Sequence, residues 1–209
     1  MIEAIVNAFQ LLTTGICTLV ALRRGFRYRK RPWFLLALAS GVFFLGDLYW
    51  ELFLIFFGDT PKFSYISYIG WYASYLFLLL LVLEFPDDGG DPKKKRILWI
   101  GPAFAAGMCL FYLQWGDLFG NVISALLMGT LFWNIGSRLL ALKGKNAKQQ
   151  PEILLLWSVL LFCLLEYAAW TASCFGVYDS LAHPYFWFDI LLSADFLIFP
   201  WALKKAVAA

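Results

Sequence analysis

Arg23-Arg24-Gly25-Phe26-Arg27-Tyr28-Arg29-Lys30-Arg31 sets six positive charges between two long apolar runs, and the rest of the chain is read outward from it. A run of about 20 apolar residues crosses the ~30 Å hydrocarbon core of a bilayer as a helix. Seven such runs can be drawn, roughly 4–22, 33–57, 64–86, 97–115, 117–141, 153–175 and 184–203. Of the 17 Lys and Arg residues, 16 fall in alternate gaps. After the 23–31 cluster come Lys93, Lys94, Lys95 and Arg96, then Arg138, Lys143, Lys145 and Lys148, then Lys204 and Lys205. The intervening gaps hold only Lys62. Positive charge stays on the cytoplasmic side of a membrane. The expectation is an all-α, polytopic membrane protein of seven transmembrane helices, with its N-terminus outside and its C-terminus cytoplasmic.

Composition agrees. The 209 residues are 62% hydrophobic with a mean hydropathy of +0.71, which excludes a soluble globular domain and a disordered chain. One transmembrane domain over residues 1–209 is expected, with chemistry confined to the bundle interior or its two faces. The net charge of +3 points to topology and not to nucleic acid, although the 23–31 cluster could also meet anionic headgroups. The first run begins Met1-Ile2-Glu3, without a basic leader or a small-residue cleavage pattern, so it reads as a helix and not as a signal peptide. Cys17, Cys109, Cys163 and Cys174 lie inside apolar runs, with no metal-ligand spacing, and read as packing residues. The lone histidine, His183, reads as a loop residue.

Turn signals separate the runs: Gly58-Asp59-Thr60-Pro61, Asp87-Asp88-Gly89-Gly90-Asp91-Pro92, Lys143-Gly144-Lys145-Asn146 and Gly176-Val177-Tyr178-Asp179. Short connections make sequence neighbours antiparallel neighbours. Trp33, Trp99, Trp115 and Trp201 fall near helix ends, where amphipathic rings favour the membrane interface. An acid followed by aromatics recurs in runs two and three (Asp47, Trp50; Trp71, Tyr72) and six and seven (Glu166, Trp170; Trp187), as a three-plus-one-plus-three repeat would require.

The sharpest chemical signal is acid inside the runs: Asp47, Glu51, Glu166, Asp189 and Asp195, with Glu84 nearer the cytoplasmic interface. A carboxyl group within a bilayer costs a few kcal/mol or more, so it faces the bundle interior or water. Asp47 and Glu51, spaced i, i+4, share a helix face. Asp189 and Asp195 lie roughly 120° apart on a helix of ~3.6 residues per turn, and Asp195 is the one expected to face inward. No Lys or Arg is expected at their depth. These acids must therefore be protonated, hydrogen-bonded to groups such as Asn121, Asn134, Ser124 or tyrosine, or paired with an external cation. Aromatic residues surround them in sequence, and rings with carboxylates hold cations well. What is missing also constrains the reading. No lysine lies within 184–203, so a retinal Schiff base is excluded, and no P-loop, nucleophile elbow or HExxH is present. Gly101, Gly107, Gly120, Gly129 and Gly136 read as close-packing positions.

Two resemblances rest on particular residues. Arg31-Pro32-Trp33, Leu45-Gly46-Asp47-Leu48-Tyr49-Trp50-Glu51, Gly58, Pro61, Ser64, Tyr68-Ile69-Gly70 and Tyr75 resemble the multi-helix sensory region that precedes some bacterial diguanylate cyclases. That family often has an acid where this chain has Ile66-Ser67. The resemblance implies sensing, in a bacterial cytoplasmic membrane. Arg23-Arg24-Gly25-Phe26, Trp50-Glu51 and Asp195 resemble the outline of the small seven-helix terpene cyclases, with Gly46-Asp47 where those have an asparagine before Trp-Glu. That resemblance implies Glu51 and Asp195 as catalytic acids acting on a lipid-like polyprenyl substrate.

The leading expectation is a sensor- or receptor-like protein that takes a small, cationic ligand into an outward-opening cavity. Asp47, Glu51, Glu166 and Asp195 would supply charge, and Trp50, Trp71 and Trp187 the walls. No cofactor, metal or nucleic acid is implied. With no output domain in the sequence, signalling would need a cytoplasmic partner. A terpene-cyclase-like enzyme and a small proton-coupled transporter stay open as alternatives, and the sequence carries no signature of oligomeric state.

Overall fold

The first helix does not stop where its apolar residues do. In the computed structural model, which describes residues 2–58, 65–85, 94–143, 150–175 and 182–208, α1 (Ile2–Tyr28) continues through Arg23, Arg24 and Arg27. It ends at Arg29, whose backbone turns left-handed (φ 52°) while its N–H donates to the Gly25 carbonyl at 2.7 Å. Lys30 is extended and leads into α2 (Arg31–Phe57), where Pro32 sits in the first turn. There a missing N–H has no partner to lose. The six-charge segment is therefore two helix ends joined by Arg29-Lys30, not a loop.

Gly58 closes α2 in the left-handed region (φ 68°), its N–H bonded to the Leu54 carbonyl at 2.9 Å, a turn that glycine makes without strain. Next come α3 (Tyr65–Leu83), a 3₁₀ segment Lys94–Trp99, α4 (Ile100–Tyr112), α5 (Leu118–Leu142), α6 (Ile153–Ser173) and α7 (Pro184–Ala208). The fourth helix is shorter than the expected 97–115. Pro102 cannot bond back to the carbonyl four residues earlier, and the chain before it is wound as 3₁₀. At about 1.5 Å per residue α4 is about 20 Å long, whereas the other six helices are long and apolar enough to cross a membrane. Among the described residues there is no strand. The turn signals at 59–61, 87–92, 144–146 and 176–179, with Lys62 and Ser64, lie outside the described residues.

The helices close a ring in the order α1, α2, α3, α5, α6, α7, with α4 packed outside against α5 and reaching α6 through the Tyr112 hydroxyl, which donates to the Tyr167 carbonyl at 3.0 Å. Leu12, Leu19, Leu45, Ile69, Leu126 and Leu191 on the outside are each more than half exposed. An apolar exterior around a partly polar interior is the pattern of a membrane bundle. Centrally, Phe43 meets Phe196 at 5.0 Å and Phe162 at 6.0 Å between ring centroids, with Phe199 beside them. At the basic face Arg24 Nη1 donates to the Pro200 carbonyl at 2.7 Å and stacks 4.9 Å over Trp33. Trp33, expected at the membrane interface, is buried instead, because the guanidinium covers it. Trp99, Trp115 and Trp201 are exposed near helix ends as expected. Glu84 pairs with Arg31 at 3.0 Å on the same face. Arg138, counted with that face, is buried in α5 about one turn before its end.

A single close approach between α2 and α3 fixes how these two helices cross. A Cβ on Gly70 of α3 would stand 2.7 Å from the Val42 carbonyl oxygen and 3.1 Å from the Gly46 Cα of α2, so the two backbones touch only because both residues lack side chains. Ser67 Oγ seals the crossing by donating to the Gly46 carbonyl at 2.9 Å. Of the glycines noted in helices four and five, Gly101 is tight against Phe132, while nothing lies within 4 Å of a Cβ on Gly107.

Gly70→Ala should lower stability by about 1–3 kcal/mol by forcing α2 and α3 apart. Gly107→Ala should be neutral or stabilising, by up to about 1 kcal/mol. Thermal unfolding of the two purified variants in one detergent checks this, and equal melting temperatures would exclude the close crossing.

Candidate functional site

The α2–α3 crossing carries Trp71 to Asp47. The residue after Gly46 is Asp47, and Trp71 follows Gly70, so backbone contact at the glycines leaves the two side chains adjacent. Trp71 Nε1 donates to Asp47 Oδ1 at 2.8 Å. Asp47 is 8% exposed, and its Oδ2 has no hydrogen-bond partner among the described residues.

Helix α1 brings two amides spaced i, i+3 on one face. Gln10 Nε2 donates to Asp189 Oδ1 of α7 at 2.7 Å, and Asn7 Nδ2 donates to Glu51 Oε2 of α2 at 2.8 Å. Asp189 is 3% exposed, and its Oδ2 also has no partner. On α6, Glu166 accepts from Trp170 Nε1, one turn along the same helix, at 3.2 Å. The Tyr75 hydroxyl of α3 donates to Glu166 from the other side. Every donor in this set is a neutral N–H or O–H.

Three of these acids, Asp47, Glu166 and Asp189, line one cavity of ≈ 390 Å³ bounded by α1, α2, α3, α6 and α7. That volume lies within the range of small-molecule sites, about 300–1,000 Å³. Asn7 and Gln10 complete the polar wall, and the exposed Glu3 stands at its edge. Phe43, Trp50, Tyr68, Trp71, Trp170 and Tyr185 form the aromatic wall. The rings brace one another: Tyr68 lies 5.5 Å from Trp71 and 6.0 Å from Trp170, and Trp71 meets Trp170 edge-on at 6.2 Å. Apart from the central Phe43, the lining residues come from the helix halves on the face that carries the N-terminus, opposite the basic face. Among the described residues no Lys or Arg lines the cavity. Behind Glu166 a second pocket of ≈ 20 Å³, lined also by Tyr75, Asn121 and Ser124, is large enough for about one water.

The expected site residues divide. Asp47, Trp50, Trp71 and Glu166 meet at the cavity. Glu51, although on Asp47's helix face, turns toward α1 and is not part of the lining. Trp187 is 56% exposed and belongs with Leu191 and Ile198 to the outward stripe of α7, because Phe186, Asp189, Ser193 and Phe196 take the inward one. Asp195, expected to be the inward acid of α7, is buried but does not line the cavity. It lies about 9 Å farther along the helix than Asp189, at ~1.5 Å per residue. Ser158 faces it, yet neither carboxyl oxygen completes a hydrogen bond. Asp189, and not Asp195, is the α7 acid in the cavity wall.

Asn7 and Gln10 also line the cavity, and the acids alone do not point to them. Their signal is present in the sequence: they are the only side-chain amides in the first apolar run, and one face holds both. The acid–indole pairs of the suspected repeat are not equivalent, since Asp47 takes its indole from the next helix and Glu166 from its own.

Comparison of the chain with protein-family models, with curated proteins and with solved structures found no match in any of the three.

Trp71→Phe keeps an aromatic ring, a smaller one, but removes the donor to Asp47, leaving a buried acceptor unpaired. It should cost about 1–3 kcal/mol of stability. In an Asp47→Leu background the same substitution should cost at least ~0.5 kcal/mol less, the signature of a direct pair. Unfolding measurements on the four proteins of this cycle decide it, and strict additivity would count against the Trp71–Asp47 bond.

Proposed function

We propose that this chain is a receptor-like membrane protein that binds a small organic cation in the acid-lined aromatic cavity. One observation carries the reading: Asp47, Glu166 and Asp189 line a shared cavity, held only by neutral donors, with no basic side chain among the described residues of its wall. Carboxyl groups at a low-dielectric site, unmatched by protein cations, make an electrostatic well for a ligand cation. Aromatic side chains add cation–π attraction and cover the ligand's apolar body. By the positive-inside rule the basic face is cytoplasmic and the cavity opens outward. A cytoplasmic partner meeting the basic face would carry the signal.

Acid catalysis of the cyclase type calls for Glu51 or Asp195 against substrate, and neither lines the cavity. Transport calls for a path to the other face, and the packed rings of Phe43, Phe162 and Phe196 lie across it. Binding is the function these features favour.

Trp50, Trp71 and Trp170 in the wall make intrinsic fluorescence a direct readout. Titration of the purified protein with small organic ammonium compounds should change tryptophan emission saturably, while neutral analogues of the same shape should not. Asp47→Asn and Asp189→Asn should each weaken binding about 10- to 100-fold, since a charge-assisted hydrogen bond contributes about 1.5–3 kcal/mol and ~1.4 kcal/mol is a decade of affinity. Neutral analogues that bind as tightly as the cations, or affinities that ignore both substitutions, would overturn the proposal.

A further inference from the structure

We propose, resting on the cation-binding function, that the cavity selects a cation whose charged head carries at least two N–H donors, a primary ammonium or a guanidinium, over a quaternary ammonium. Rings and acidic charge alone would accept either kind, because cation–π attraction and a negative field ask only for positive charge. What distinguishes them is the bonding state of two particular oxygens.

Asp47 and Asp189 are more than nine-tenths buried and come from α2 and α7, the two helices that flank α1. Each has one carboxyl oxygen engaged by a neutral donor of a neighbouring helix, Trp71 Nε1 or Gln10 Nε2. Each has its other oxygen without any hydrogen-bond partner among the described residues. A buried acceptor left bare is as costly as a lost hydrogen bond. Protonation does not remove the cost, because it converts the bare acceptor into a donor that has no acceptor beside it. The terminal torsion of an aspartate is broad and soft, so either carboxyl can present its second oxygen to the cavity with little rearrangement.

Two bare oxygens on two acids therefore call for two N–H donors from the occupant. A primary ammonium offers three, and a guanidinium offers five in a plane that also stacks on aromatic faces. A quaternary ammonium offers none. It would be attracted to the rings while leaving both oxygens without a donor. Glu166 does not enter the count, since Tyr75 and Trp170 already donate to it. Asp195 has two bare oxygens but lies outside the cavity wall.

The test uses three probes with one body: benzylamine, benzylguanidine and benzyltrimethylammonium, titrated into the full chain in lipid nanodiscs and read by tryptophan emission. Benzyl alcohol is the neutral control. The two N–H-bearing cations should bind about tenfold or more tightly than the quaternary one. In an Asp47→Asn, Asp189→Asn double variant that melts like wild type, the preference should fall to less than about threefold. Should that variant fail to fold, Trp71→Phe and Gln10→Leu, which free the partnered oxygens and leave both charges, should widen the preference. A quaternary probe binding as tightly as the amine overturns this inference and leaves the cation site standing. Three cations binding no better than benzyl alcohol overturns the cation site itself, and the inference with it.

Discussion

The structure turns on a problem of solvation. Carboxyl groups sit inside a bundle whose exterior is built for hydrocarbon, and the cavity that three of them line has no lysine or arginine among the described residues of its wall. A polar group in such a place must find its partners within the protein. The chain supplies them as neutral donors, mostly on neighbouring helices: an indole from α3 for Asp47, an amide from α1 for Asp189, another for Glu51, and an indole with a phenol for Glu166. Each bond crosses between elements except the Trp170–Glu166 one, so the acids also fasten α1 to α2 and α7, and α2 to α3. The Gly46–Gly70 contact belongs to the same problem. Without that approach the Trp71 nitrogen could not reach Asp47 at 2.8 Å.

The two ends of the bundle are built differently. At the basic face, cations bond to backbone carbonyls and stack on rings. Arg24 joins α1, α2 and α7 through Pro200 and Trp33, Lys30 reaches the Val207 carbonyl, and Lys205 lies 3.8 Å over Trp201. Phe43, Phe162, Phe196 and Phe199 fill the middle. At the other end the acids and their donors line open space instead of filling it. The bundle is a cup with a tied base, a packed aromatic floor and a polar, acidic mouth. Phe43 belongs to both parts, since it packs against Phe196 and also lines the cavity.

These forces also decide how far the chain can be read before it is folded. Run length and the alternation of basic residues locate the helices and their order, because both obey one-dimensional rules of bilayer thickness and charge. They overestimate α4, where Pro102 is a local event inside a long apolar run, and they take as a gap the charges of 23–31, most of which lie on helix ends. Intramembrane acids mark the cavity, and Asp47 and Glu166 line it. The rotation of α7 is not legible. Asp189 and Asp195 are both buried, and only the placement of α1 and α6 decides that the first faces the cavity and the second faces Ser158. Trp187 is misplaced for the same reason: a ring near acids in sequence can stand on the opposite stripe of the helix. Asn7 and Gln10 are legible in principle, since an amide in an apolar run needs a partner as surely as an acid does.

The arrangement of unsatisfied groups also bears on the kind of cation the proposed site would take. A metal ion wants several oxygens converging on one point, and among the described residues no three His, Cys, Asp or Glu side chains gather in that way. The cavity presents separate carboxyl groups instead, on α2, α6 and α7, beside indole and phenol rings. Separate carboxyl groups beside rings match an ion whose positive charge sits on one end of an extended organic body, because the head can meet an acid while the body lies against the rings. The partial saturation of Asp47 and Asp189 sharpens that match. Had both oxygens of each been bonded internally, as Glu166 is bonded from two sides, the acids would have served the bundle alone. One bonded oxygen fixes each carboxyl in place, and the other has no donor among the described residues, which is where the proposed cation would bond.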